Sequence, residues 1–202
     1  TADLGVFRDA HLLDLSSILK GSSLAALRLL GWFVLLFVLY GIAARAAHHT
    51  RTRVAGLLVV TWAALFGLAF LRMYPFAAAD IFDNIMHGRI LGVYGGNPFL
   101  NTASQYPFDP FIKYSFWVKS ISAYGPAWEA AAGLTARLGG NDFLNVVYAF
   151  KLLPGVFFFA SMAAAALILR REAPQRALPA VLLLGWNPMA LFETFGNGHN
   201  DI

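Results

Sequence analysis

Four stretches of the chain are apolar almost without interruption, and the polar residues crowd into the gaps between them. A helix needs roughly 20 mostly apolar residues to cross a hydrocarbon core about 30 Å thick. Residues 24–44 satisfy this with one early charge, Arg28, near enough to an end to snorkel. Residues 54–71 are uncharged and are followed by the interfacial pair Arg72 and Tyr74. Residues 146–169 are apolar except for Lys151, and 177–195 stay apolar until Glu193. The pattern predicts an all-α, polytopic helical membrane protein: one transmembrane domain over 1–202 with about four spans and a long loop, 72–145, carrying interfacial helices. The first stretch lacks the short apolar core and small-residue cleavage site of a secretory signal, so it reads as a span. A chain that starts at Thr1 and stops at Ile202, directly after a polar cluster, reads as part of a longer protein cut at both ends.

Composition agrees with the pattern. The chain is 58% hydrophobic and 13% charged, against roughly 45–50% and 25% for soluble domains. The absence of cysteine excludes disulfides, thiolate metal sites and cysteine nucleophiles within it. A formal charge of +4, scattered along the chain, is not the concentrated basic face that nucleic acid requires, so no nucleic-acid partner is expected.

Orientation follows from the short loops. Residues 45–53 carry Arg45, Arg51 and Arg53 with two histidines and no acid, and 170–176 carry Arg170, Arg171 and Arg176 against Glu172. Both loops are expected in the cytoplasm. Residues 72–145 balance five basic against five acidic side chains and are expected outside a plasma (inner) membrane crossed several times. The apolar patch 127–138 contains Glu129 and Arg137 and would rise only about 18 Å as a helix. It reads as interfacial or re-entrant; the alternative, a short tilted span, would carry the C-terminal motif across the membrane.

A loop of this length is usually functional. Within it Asp80, Asp83, Asn84 and His87 recur at i, i+3, i+4, i+7, which places them on one helical face. Ile81, Phe82, Ile85, Met86 and Ile90 cover much of the other, so the segment suits a helix lying on the membrane surface with its apolar side in the lipid boundary. Three turn-forming groups follow, Asn97-Pro98-Phe99, Tyr106-Pro107-Phe108 and Tyr124-Gly125-Pro126, their aromatics at the depth where interfacial loops anchor.

Asp80, about nine residues beyond the second span, is placed to act as a general base on a lipid-linked substrate, or else to cap a helix beginning at Ile81. Asp83 and His87 lie one turn apart and with Asp80 can be read as metal ligands or as a solvated face. Arg89, Lys113 and Lys119 can meet a phosphate of a substrate or of a lipid headgroup. The densest polar cluster closes the chain: Glu193 lies within the last apolar run, and Asn197, His199, Asn200 and Asp201 follow, with Gly196 and Gly198 permitting close backbone approach. An acid and then a polar run at the end of a span are costly unless they line an aqueous cavity.

In this order, Asp80 just outside a span, Asn97-Pro98-Phe99, Tyr124-Gly125-Pro126 and Trp186-Asn187-Pro188 followed by Gly198-His199-Asn200-Asp201, the chain from about residue 54 onward resembles the GT-C membrane glycosyltransferases. Within them it is similar to the bacterial polyprenol-phosphate-mannose-dependent mannosyltransferases. The resemblance implies the N-terminal part of an enzyme that transfers a sugar, mannose first among candidates, from a polyprenyl-phosphate donor to a glycan or glycolipid acceptor at the extracytoplasmic face. It makes Asp80 the catalytic base, and it departs from the family's closely spaced acid pair, since here Asp80 and Asp83 are three apart. Substrate contacts are expected from Asp83, His87, Arg89, Lys113, Lys119, Tyr124, Glu193, Asn197, His199, Asn200 and Asp201. The expected transfer inverts the anomeric carbon with one base, and because a monophosphate leaving group carries less charge than a pyrophosphate it is expected to need no cofactor, although a divalent metal stays open. The competing classes are a transporter with Glu193, His199 and Asp201 along its path, or a non-catalytic envelope subunit. Transporters hold their key polar groups near the bilayer midplane and show internal repeats; here these groups sit at the outer end, and no repeat is evident.

Overall fold

The computed structural model describes residues 22–50, 52–77 and 79–200. Asp201 and Arg51, both singled out from the sequence, lie outside the described residues. The described chain is helical. Helix α1 (Ser23–His48), α2 (Arg53–Leu71) and α5 (Phe143–Glu172) are each long and apolar enough to cross a membrane. The fourth predicted span is broken: α6 (Pro174–Gly185) gives way to α7 (Pro188–Leu191) and a π-helical turn, Phe192–Asn197, bent by 47° from α6. The break is written in Trp186-Asn187-Pro188. Proline cannot donate, so α6 ends, and the Asn187 side chain caps α7 by accepting from the Met189 and Ala190 amides at 3.0 and 3.3 Å.

The C-terminus of α1 and the N-terminus of α2 lie with the turn at Ala173 at one end of the bundle; the C-terminus of α2, the N-terminal half of α5 and the π-helical turn meet at the other. Lys151, fully buried in α5, holds the second end together. Its ammonium donates to the carbonyls of Leu71, at 3.3 Å, and Met73, closing the last turn of α2. Phe195 of the π-helical turn wedges between the spans, and only glycine leaves it room. A Cβ on Gly67 of α2 would lie 3.2 Å from its ring, and one on Gly155 of α5 would lie 2.5 Å away.

On this end of the bundle sits a second layer, α3 (Asp80–Gly92), α4 (Pro126–Gly139) and the loop between them. Here the sequence expectation fails in an instructive way. Ile81, Phe82, Ile85, Met86 and Ile90 do not face lipid; each is at most 1% exposed. Ile81, Phe82, Ile85 and Met86 pack in one cluster with Ala132, Ala136, Phe143, Val146 and Phe150, with Phe111 and Tyr114 of the loop stacked on its rings. A single helix with one apolar face can meet lipid, but a helix covered by a loop and two further helices becomes the centre of a core. The patch 127–138 likewise lies inside α4 and is held against α3 through small residues, rather than lying alone at an interface. A Cβ on Gly88 would lie 2.6 Å from the Ala132 carbonyl oxygen, and one on Gly92 only 1.9 Å from that of Gly133.

Candidate active site

Arg89 closes this layer instead of meeting a substrate. It is 1% exposed, and its Nε donates to Asp109 at 2.6 Å, Nη1 to the Gly140 carbonyl at 2.7 Å and Nη2 to Asn141 at 2.8 Å. Asp109 in turn accepts from Tyr94 and from the Phe111 amide, each at 2.8 Å. Each nitrogen of the guanidinium is thus engaged, by the loop or by the α4–α5 turn, and the expected phosphate contact is corrected to a structural ion pair. Lys113 is exposed and lies 4.9 Å over the Tyr114 ring; Lys119 is also exposed. Neither lines the cavity described next.

The polar face read from the sequence does converge. Asp80, Asp83, Asn84 and His87 line one cavity of about 290 Å³, opposite Trp117, Ser120 and Tyr124 of the loop. The four differ sharply in surroundings. Asp83 is buried and accepts from the Ser115 hydroxyl and, at 2.9 Å, from the Trp117 amide. Burial pushes its carboxyl above the usual carboxylate range, against the pull of these two donors and of His87. His87 Nε2 lies 3.3 Å from the Ser120 carbonyl oxygen. Asn84 is 2% exposed, and neither atom of its amide has a hydrogen-bond partner among the described residues.

Asp80 stands at the edge. It is the first residue of α3, after Ala79, and no side-chain capping bond is made there, so the alternative of a helix cap is set aside. Its side chain is 43% exposed and its Oδ2 lies 4.0 Å from Nε2 of His199. His199 comes from the far end of the chain and lies 3.7 Å from Glu193. The π-helical turn makes this possible. Its wide pitch sets Glu193 under Asn197, which donates to it at 2.8 Å, and Asn197 also accepts from the Ala77 amide at 3.2 Å, tying the turn to the segment leading into α3. Gly198 then adopts a left-handed conformation (φ 74°) that turns the chain back, and the His199 amide donates to the Glu193 carbonyl at 3.0 Å.

His199 and Asn200 also line a second cavity of about 260 Å³, which runs beside the spans between Pro154, Phe157 and Phe158 of α5 and Leu184 of α6. The two cavities therefore adjoin across the Asp80–His199 contact. Metal ligation by Asp80, Asp83 and His87 does not match this geometry: among the described residues no three acidic or histidine side chains converge as ligands. The residues missed from the sequence are Ser115, Trp117 and Ser120, which lie in an irregular loop without periodicity, and Glu129, whose carboxylate accepts from Ser122 beside the same layer. Glu129 had a signal, a lone acid in an apolar patch, but nothing to say what it faced.

Fold and site define a helical membrane protein with polar groups, the partly exposed Asp80 among them, gathered at one end of its long apolar helices. Residues 5–202 match the family described as alpha-(1->6)-mannopyranosyltransferase, N-terminal domain, and the chain belongs to that family. No curated protein and no solved structure matches it. The protein is accordingly a glycosyltransferase of the mannosyltransferase kind, with a sugar donor and a sugar acceptor as its substrates.

Proposed function

We propose that the protein transfers mannose from a polyprenyl-monophosphate donor to a glycan or glycolipid at the extracytoplasmic face, with Asp80 as general base. The observation that carries this reading is the position of Asp80: a carboxylate at the mouth of a polar cavity, partly exposed, with no hydrogen bond among the described residues, next to the basic side chain His199. A carboxylate so placed can take the proton from an acceptor hydroxyl as its oxygen attacks the anomeric carbon. The bond from that carbon to the phosphate oxygen breaks, and the phosphate departs with the electron pair. In this reading His199 and Asn200, at the cavity beside the spans, meet that phosphate, and the exposed Lys113 and Lys119 supply positive charge on the same layer. In-line displacement inverts the carbon. The α-linkage in the family's description then requires a β-linked donor, and its 6-position requires a primary hydroxyl as nucleophile.

The orientation rests on the arginines. Arg45, Arg53, Arg170, Arg171 and Arg176 lie at the end of the bundle opposite Asp80, which by the positive-inside rule supports an extracytoplasmic site.

The test is mannose transfer from polyprenyl-phospho-mannose in membranes carrying the full-length protein, wild type against Asp80→Asn at matched expression. Loss of a general base lowers turnover by about 10²–10⁴-fold, and that fall is expected here with donor binding retained. Unimpaired transfer by Asp80→Asn would remove Asp80 from the chemistry.

A further inference from the structure

The cavity beside Asp80 holds more unsatisfied polar atoms than a folded core keeps without reason. Asn84, His87 and Asp83 line it, and both amide atoms of Asn84, Nδ1 of His87 and the second oxygen of Asp83 are buried without partners among the described residues. Each such group costs about 1–3 kcal/mol when left dry, so sites that retain several are sites completed by water or a ligand. The groups are mixed donors and acceptors, set a helical turn apart on one rigid helix. Across the gap Trp117 and Tyr124 offer flat apolar faces. This is the lining a pyranose requires: hydroxyls that both donate and accept along one edge, and a C–H face to pack against a ring.

We propose that this cavity binds the acceptor sugar, the pyranose that carries the attacking hydroxyl, with Asn84, His87 and Asp83 on its hydroxyls and Trp117 and Tyr124 against its apolar face. The inference rests on the reading of Asp80 as base and adds which substrate lies on which side of it. Charge decides the side. The cavity is lined by Asp80 and Asp83 and by no lysine or arginine, so a phosphate entering it would meet carboxylates and no fixed cation. A neutral hexose pays no such penalty. The adjoining cavity has no carboxylate in its lining: it runs along α5 and α6 past phenylalanine and leucine side chains, with Ser161, Asn187, Thr194, His199 and Asn200 as its polar groups, which suits a phosphate that arrives on a lipid. Asp80 and His199, 4.0 Å apart, stand where the two meet.

The probe is α-(1→6)-linked mannobiose, used with the full-length protein in detergent. In steady-state transfer, Asn84→Ala is expected to raise the acceptor KM about 10-fold or more while the donor KM moves by less than about 2-fold. His87→Gln, which keeps a polar side chain of similar reach, is expected to move the same constant in the same direction. Binding is read without turnover by quenching of tryptophan fluorescence in the Asp80→Asn protein, where mannobiose should give a saturable change that Asn84→Ala abolishes and Trp117→Phe diminishes. A raised donor KM with an unchanged acceptor KM in the Asn84 and His87 variants overturns the assignment. So does mannobiose binding that neither variant weakens. The two readings fail separately: Asp80→Asn that still transfers refutes the base and leaves the sugar titration to be judged by itself, whereas an inactive Asp80→Asn with no saturable mannobiose signal refutes the subsite alone.

Discussion

Ten of the thirteen residues of α3 are buried, whereas α1, twice as long, buries only Ala47. α1 is the more apolar of the two, while α3 carries Asp80, Asp83, Asn84, His87 and Arg89, so hydrophobicity alone would bury the wrong helix. What differs is what surrounds them. Lipid tails are as apolar as a leucine side chain, so α1 can leave Leu27, Trp32, Val38 and Ile42 more than half exposed to the bilayer with nothing to gain by packing them. The apolar side chains of α3 are instead covered by α4, α5 and the loop. The layer has therefore folded as a small core of its own at one end of the bundle. A core can hold a polar cavity in fixed geometry, and a sparsely packed span cannot.

The sharpest way to break this contrast is to remove the cation at the centre of the layer. Arg89→Met leaves Asp109, 3% exposed, without its ion-pair partner, and breaking a buried pair from one side costs about 3–5 kcal/mol. The loop 93–125 is then expected to become open to protease while α1 and α2 stay inserted and most helical circular dichroism persists. Adding Asp109→Leu should recover part of the loss, because no lone charge is left buried. Cooperative loss of the spans together with the loop would mean that the two regions are one folding unit.

Next in size is the α3–α4 crossing. Gly92→Ala places a methyl carbon against the backbone oxygen of Gly133, where no side chain can swing away, and overpacking of this kind costs about 1–3 kcal/mol. The matched control is Gly41→Ala in α1, where a Cβ meets nothing within 4 Å. Alanine is there the better helix former by about 1 kcal/mol, so stability should hold or rise. Thermal unfolding of the two variants in detergent reads the difference, and equal losses at Gly92 and Gly41 would deny the contrast between the layers.

The same contrast explains what could be read from the sequence. Spans announce themselves by composition alone, and the boundaries at 24–44, 54–71 and 146–169 fall inside α1, α2 and α5. The fourth came out as a broken span because a window of hydrophobicity sees Asn187-Pro188 as a minor interruption, while the backbone must stop its hydrogen bonding there. The helical face of Asp80, Asp83, Asn84 and His87 was legible because periodicity survives burial. The burial of its apolar side was not, since nothing local states that Phe111 and Tyr114 fold back over it. Arg89 failed for a related reason: a phosphate and the carboxylate of Asp109 ask the same geometry of a guanidinium, and only the fold says which one it meets. His199 was legible as chemistry; that it faces Asp80 depends on the π-helical turn and on Gly198.

The smallest effect concerns Glu129, an acid buried in the α3–α4 layer as no charged residue of α1 is buried. Its carboxylate is 1% exposed, one oxygen accepts from Ser122, and the other has no partner among the described residues. Burial raises its affinity for a proton, against smaller opposing pulls from Ser122 and His87. A carboxyl whose pKa is higher folded than unfolded adds stability that is fully present below the unfolded value and is lost as pH rises through the folded one. Wild type should therefore lose thermal stability relative to Glu129→Gln as pH climbs from about 4 toward 8, with the two proteins closest at the acid end. Asp83 is shifted in the same direction and is present in both proteins, so it cancels from the difference. Parallel unfolding curves across the range would mean that Glu129 ionises equally in both states, and the layer that carries the site would then be wetter at its centre than the packing of α4 on α3 requires.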